Sequence, residues 1–166
     1  MSIELSGQQL QAVDAVIKWS KTASKTFILT GHAGSGKTTI AKTIASNFKS
    51  VLYGAFTGKA ASVLESKGCI PATTIHSMIY KPVEDPISGI TEFKLNVDGP
   101  VSGADLVVID EVSMVRSDMM WAIDQSLRLN RGRPREPFGG VRLVLFGDLF
   151  EASADDFEAM MQMRQE

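Results

Sequence analysis

The eight residues GHAGSGKT, at positions 31–38, follow directly on a short apolar run, TFILT, and run into a segment of helical character over residues 37–48. No other feature of the chain narrows its possible folds so far. The spacing G-x-x-x-x-G-K-[ST] between a strand and a helix marks a loop that cradles phosphates. A triphosphate needs many hydrogen-bond donors without side chains in the way. Gly31, Gly34 and Gly36 let the backbone fold into a nest of N–H groups, and the following helix presents its positive end. Lys37 then reaches the β- and γ-phosphates, and Thr38 offers its hydroxyl to Mg2+. Ala33, Ser35 and Thr39 complete the stretch expected against a bound nucleotide. The expected cofactors are therefore ATP and Mg2+.

The rest of the pattern fits such a loop into a parallel sheet. Ser6 with Gln9 three residues later is a capping box, and Leu10, Val13, Val16 and Ile17 recur at helical spacing, so a first helix is expected to about residue 21. Strands are expected at Thr26–Thr30, 51–56, 105–110 and 141–146, and helices at 37–48, 58–67, 73–80 and 117–129. Strands alternating with helices predict an α/β fold: a RecA-like parallel sheet flanked by helices, the P-loop NTPase architecture. Residues 81–103, with three prolines and three glycines, read as a short inserted hairpin or loop in which residues 90–97 alternate like one strand. In the tail, Ser153 and Asp156 suggest the start of a capped helix carrying Phe157, Met160 and Met161.

A second site signal is Asp110-Glu111, which closes the apolar run DLVVID. Open parallel sheets bind ligands beyond the carboxyl ends of their strands, so this pair is expected beside the phosphate loop. Asp110 is then a metal-holding group with Thr38, and Glu111 a general base that polarises water. A base at this place favours hydrolysis over phosphate transfer to a substrate hydroxyl.

Hydrophobic residues make up 44% and charged residues 22%, which excludes a disordered or collagen-like chain and a membrane protein. The net charge of −2 argues against a uniformly basic nucleic-acid coat, so any such contact is local. The loop NRGRPREPFGG, with Arg131, Arg133 and Arg135, is either such a contact or a solvated surface. The start of the chain has no basic, apolar leader pattern, and the single Cys69 has no partner for a disulfide or zinc site. A cytoplasmic setting without a membrane is expected.

Six segments, LSGQQ, GHAGSGKT, FTGKAA, TTIH, DEVSM and PFGGVRLVLFGD, occur in an order that resembles the first motor domain of superfamily 1 DNA helicases of the Pif1, RecD and Dda type. The resemblance covers nearly the whole chain as far as Asp148. It implies that Gln9 reads adenine, that Asp148 joins the nucleotide site, and that Thr57 and Lys59, with Thr74, His76 and Ser77, contact the phosphates of single-stranded DNA. It implies that the insertion at 81–103 stands where these helicases carry a strand-separating hairpin. The family hydrolyses ATP between two similar domains, and the second supplies arginines to the transferred phosphoryl group. Residues 1–166 are expected to form one such domain, completed by a second RecA-like domain or chain. Where the family has a glutamine three positions after the Gly147-Asp148 strand end, this chain has Glu151: either γ-phosphate sensing is weakened by a carboxylate of like charge, or, the favoured reading, Glu151 does not occupy that place. A chain of this kind is expected to bind nucleotide without unwinding DNA by itself. A stand-alone ATP-binding module and a P-loop kinase are the competing readings.

Overall fold

A computed structural model describes residues 4–32 and 34–147. Helix α1, Gly7–Trp19, starts from Ser6, whose hydroxyl accepts from the Gln9 amide while the Gln9 side chain accepts from the Ser6 amide. Strand β1, Thr26–Thr30, leads into helix α2, Lys37–Ala45. Strand β2, Val51–Ala55, leads into α3, Gly58–Ser66, and the short strand β3, Ala72–Thr74, into α4, Ile75–Ile79. A hairpin of β4, Tyr80–Glu84, and β5, Thr91–Leu95, comes next. Strand β6, Leu106–Ile109, helix α5, Ser117–Arg131, and strand β7, Arg142–Gly147, complete the described chain.

Five parallel strands form the main sheet in the order β1-β7-β6-β2-β3. Successive side chains on a strand face opposite sides, and here both sides are covered. Val107 and Ile109 of β6 and Leu143 and Leu145 of β7 pack with Ile75, Met78, Ile123 and Leu127 of α4 and α5. Leu106, Val108, Val144 and Phe146 pack the other way, with Val16, Ile40, Ile44 and Leu64 of α1, α2 and α3. That double burial is why these strands read as unbroken apolar runs.

Two expectations change. Residues 73–80 were expected to be wholly helical, yet Ala72–Thr74 pairs with β2 before Thr74 caps α4. Three residues are too few to show a strand period. The insertion contains two strands, not one, because Tyr80–Glu84 pairs antiparallel with Thr91–Leu95 and Pro82 lies opposite Phe93. Proline is tolerated on an edge strand, which this two-stranded ribbon supplies. At the ribbon's turn, the amides of Ile87 and Ser88 donate to Asp85 and hold its carboxyl below the usual carboxylate range. The tail around Ser153, with Asp148 and Glu151, lies outside the described residues.

The ribbon is anchored at its return. Asn130 of α5 donates to the Asn96 carbonyl at 2.5 Å and accepts from the Gly99 amide at 3.0 Å, and Ser126 donates to the same Asn96 carbonyl at 3.3 Å. Asn130→Ala is expected to lower stability by about 1–3 kcal/mol, the cost of leaving the Gly99 amide without its acceptor. Urea denaturation checks the magnitude, and amide exchange should accelerate first at Asn96 and Gly99.

Candidate nucleotide site and nucleic-acid face

The chain leaves β1 at Thr30 and turns at once, with the Gly31 amide donating to the Gly147 carbonyl of β7 at 3.2 Å and the Ser35 amide to the His32 carbonyl at 3.1 Å. Gly34 and Gly36 have φ of +81° and +83°, the left-handed region that costs glycine nothing. Gly36 caps α2, and the first helical acceptor bond runs from the Ile40 amide to the Gly36 carbonyl at 3.0 Å. Amides ahead of that bond have no acceptor inside the helix and suit an anion.

Lys37, Thr38 and Asp110 line one pocket at the carboxyl edge of the sheet, with Tyr53, Val108 and Phe146 among its walls. The motif and Asp110, 72 positions apart from Thr38 to Asp110, are thus brought together, while Glu111 does not line this pocket. Tyr53 is buried, as is Cys69, and burial pushes the Tyr53 phenol up to about 12, so this wall stays uncharged. Burial pushes the Cys69 thiol up as well.

Asp110 follows β6 directly, its amide donating to the Gly54 carbonyl at 3.0 Å, while its Oδ1 accepts from the Glu111 amide at 3.1 Å. Glu111 is exposed and sits at φ 57°, ψ 54°. A non-glycine residue in that region is uncommon and carries a conformational cost, a mark of positions held for function. The following Val112 lies against Gly147, where a Cβ would approach Val112 Cγ1 to 3.0 Å. The turn after β6 therefore rests on the end of β7.

Thr38 and Asp110 offer a hydroxyl and a carboxylate, hard oxygen donors that fit Mg2+, which takes few protein ligands and fills its octahedron with water and phosphate. Among the described residues no cluster of three or more His, Cys, Asp or Glu is placed to hold a metal by itself.

Gln9 lies beside the same loop, its Nε2 donating to the Ser35 carbonyl at 3.0 Å. Thr39 follows Thr38 in the first turn of α2 and its carbonyl accepts from the Thr43 hydroxyl at 3.0 Å. Ala33 and Asp148 lie outside the described residues.

The proposed phosphate contacts occupy the neighbouring strand ends. Thr57 caps α3, accepting from the Ala60 amide at 3.1 Å, with Lys59 exposed in the next turn. Thr74, paired with Ala55, caps α4: it accepts from the Ser77 amide at 3.1 Å and donates to Ser77 Oγ at 2.8 Å. Two helix starts therefore lie side by side. Because the Thr74 proton is committed, Ser77 supplies the hydroxyl hydrogen left for an outside acceptor. His76 is exposed and bridges α4 to the hairpin, its ring 5.0 Å from both Tyr80 and Phe93. Of the basic loop, Arg131 donates to the Ser102 carbonyl and Arg133 pairs with Glu136, so those two serve the protein's own surface.

Sequence reading missed Asp124, a carboxylate only 4% exposed that accepts from Arg128 Nε at 2.8 Å and from the Phe138 amide at 2.6 Å. The i,i+4 spacing of Asp124 and Arg128 was its one available signal.

Fold and site define a RecA-like P-loop nucleotide-binding domain. A family model described as an AAA domain matches residues 11–150. The chain belongs to that family, among its Pif1-like members. It is 30% identical over 162 residues to the ATP-dependent DNA helicase RRM3 of Saccharomyces cerevisiae, covering 90% of this chain and 20% of the relative. It is 32% identical over 158 residues to the ATP-dependent DNA helicase PIF1 of Danio rerio, covering 89% and 22% respectively. Among solved structures, a Pif1 helicase from Bacteroides in complex with ADP-AlF3 and ssDNA superposes with a TM-score of 0.66 at 29% identity, over 98% of this chain and 37% of that one. The chain thus spans about a fifth of these curated relatives. Among the described residues no helix is long and apolar enough to cross a membrane.

Proposed function

We propose that this chain is the ATP-binding and ATP-hydrolysing motor domain of a DNA helicase, active on single-stranded DNA in company with a second RecA-like domain or chain. The observation that carries the reading is the convergence of Lys37, Thr38 and Asp110 on one pocket, with Glu111 next in the chain. The amides of the loop and the first turn of α2 bind the polyphosphate, and Lys37 adds a full charge to it. Thr38 and Asp110 hold Mg2+, which neutralises negative charge on the phosphate oxygens when bound. Glu111, the residue after Asp110, orients a water molecule and takes its proton. The adjacent helix starts at Thr57 and Thr74 bind successive DNA phosphates through Lys59, Ser77 and backbone amides. The β4–β5 ribbon, anchored by Asn130, extends from that surface as the strand-separating element.

ATP hydrolysis measured with and without single-stranded DNA tests the proposal. Stimulation by DNA supports it; tight ATP binding with turnover indifferent to DNA supports a stand-alone module instead. Lys37→Ala is expected to weaken Mg-ATP binding about 10- to 100-fold, the range of one charge-assisted hydrogen bond, as read by titration calorimetry.

A further inference from the structure

Gln9 belongs to α1, yet its amide reaches a residue 26 positions away. Its Nε2 donates to the Ser35 carbonyl at 3.0 Å, while Oε1 accepts from the Ser6 amide at 2.9 Å. Those partners leave no choice of amide orientation, since a backbone N–H only donates and a carbonyl only accepts. The amide lies where a Cβ on Gly36 would stand, so the third glycine of the loop makes room for Gln9 as well as turning the chain. Both ends of the bridge are firm. Gln9 is in a capped helix whose Val13 and Val16 pack in one core with Ile40 and Ile44 of α2.

We propose that Gln9 is a positioning residue for the phosphate loop and contributes to polyphosphate binding with no base present. The peptide joining Ser35 to Gly36 is trans, and in a trans peptide the C=O and N–H point in opposite directions. Drawing the Ser35 carbonyl toward α1 therefore directs the Gly36 N–H away from Gln9. One donor of the anion nest is set by a side chain outside the loop. This rests on the nucleotide-binding reading but differs from adenine recognition, which needs a base.

The test uses magnesium tripolyphosphate, which has no base, beside Mg-ATP, on the wild-type chain, Gln9→Ala and Gln9→Met; methionine keeps the length and helix propensity but makes neither hydrogen bond. Both variants are expected to bind tripolyphosphate about three- to tenfold more weakly, the range of one hydrogen bond. Unchanged tripolyphosphate affinity with weakened ATP binding would overturn the proposal and leave Gln9 a base contact only. If the wild-type chain binds neither ligand, the nucleotide reading fails and the role of Gln9 in polyphosphate binding falls with it.

Discussion

Glu111→Gln is expected to retain Mg-ATP binding and to lose about 10²–10⁴-fold of ATP turnover, the usual contribution of a positioned general base. Glutamine keeps the size of the side chain and can still orient a water molecule, but it takes no proton at neutral pH. Binding should survive because the change touches none of the proposed polyphosphate ligands, the loop amides, Lys37 and the Thr38–Asp110 pair. The backbone should survive too, since the left-handed turn at φ 57° leans on Val112 and Gly147 rather than on the carboxylate. Steady-state hydrolysis beside equilibrium binding separates the two effects. Turnover equal to wild type would remove Glu111 from the chemistry.

Asp124→Ala is expected to cost about 3–5 kcal/mol, the range for breaking a buried ion pair by removing one partner. The change strands Arg128, itself only 16% exposed at its side chain, and leaves the Phe138 amide without its acceptor. That amide belongs to a demanding turn, with Phe138 at φ 52° and Gly139 at φ 60°, where a Cβ on Gly139 would stand 2.5 Å from the Leu127 carbonyl. The turn delivers the chain into β7, which pairs with β1 along its length and accepts the Gly31 amide at its end. A loss of that size is a large share of a domain's total stability. Guanidinium denaturation measures it, and Asp124→Asn, which keeps an acceptor for the Phe138 amide, should cost less.

What the sequence made legible depended on range. Ser6 and Gln9 announce the start of α1 because a capping box is a contact over three residues. LVVI and RLVLFG announce β6 and β7 because strands covered on both faces need no polar alternation. The phosphate loop was legible for the same reason: glycine spacing, lysine and hydroxyl are consecutive, and the flanking elements are unambiguous. The three residues of β3 were hidden inside the approach to α4, and β4 was masked by Lys81 and Pro82. Contacts between distant positions left no mark. Nothing local says that Gln9 bonds the Ser35 carbonyl, that Asn130 ties down the hairpin's return, or that Asp124 points into the protein from a helix whose charges read as solvent-facing. The left-handed Glu111 was equally hidden, since neighbouring acids at a strand end look the same in either conformation.

In the proposed function, the nest around Gly34 and Gly36, completed by Lys37, Thr38 and Asp110, embraces a magnesium-bound triphosphate. Titration calorimetry of Mg-ATP into the folded chain tests this most directly. One nucleotide bound per chain, with affinity about 10- to 100-fold weaker in Lys37→Ala, is the predicted result; a folded wild-type protein that takes up no nucleotide would rule out the nucleotide site.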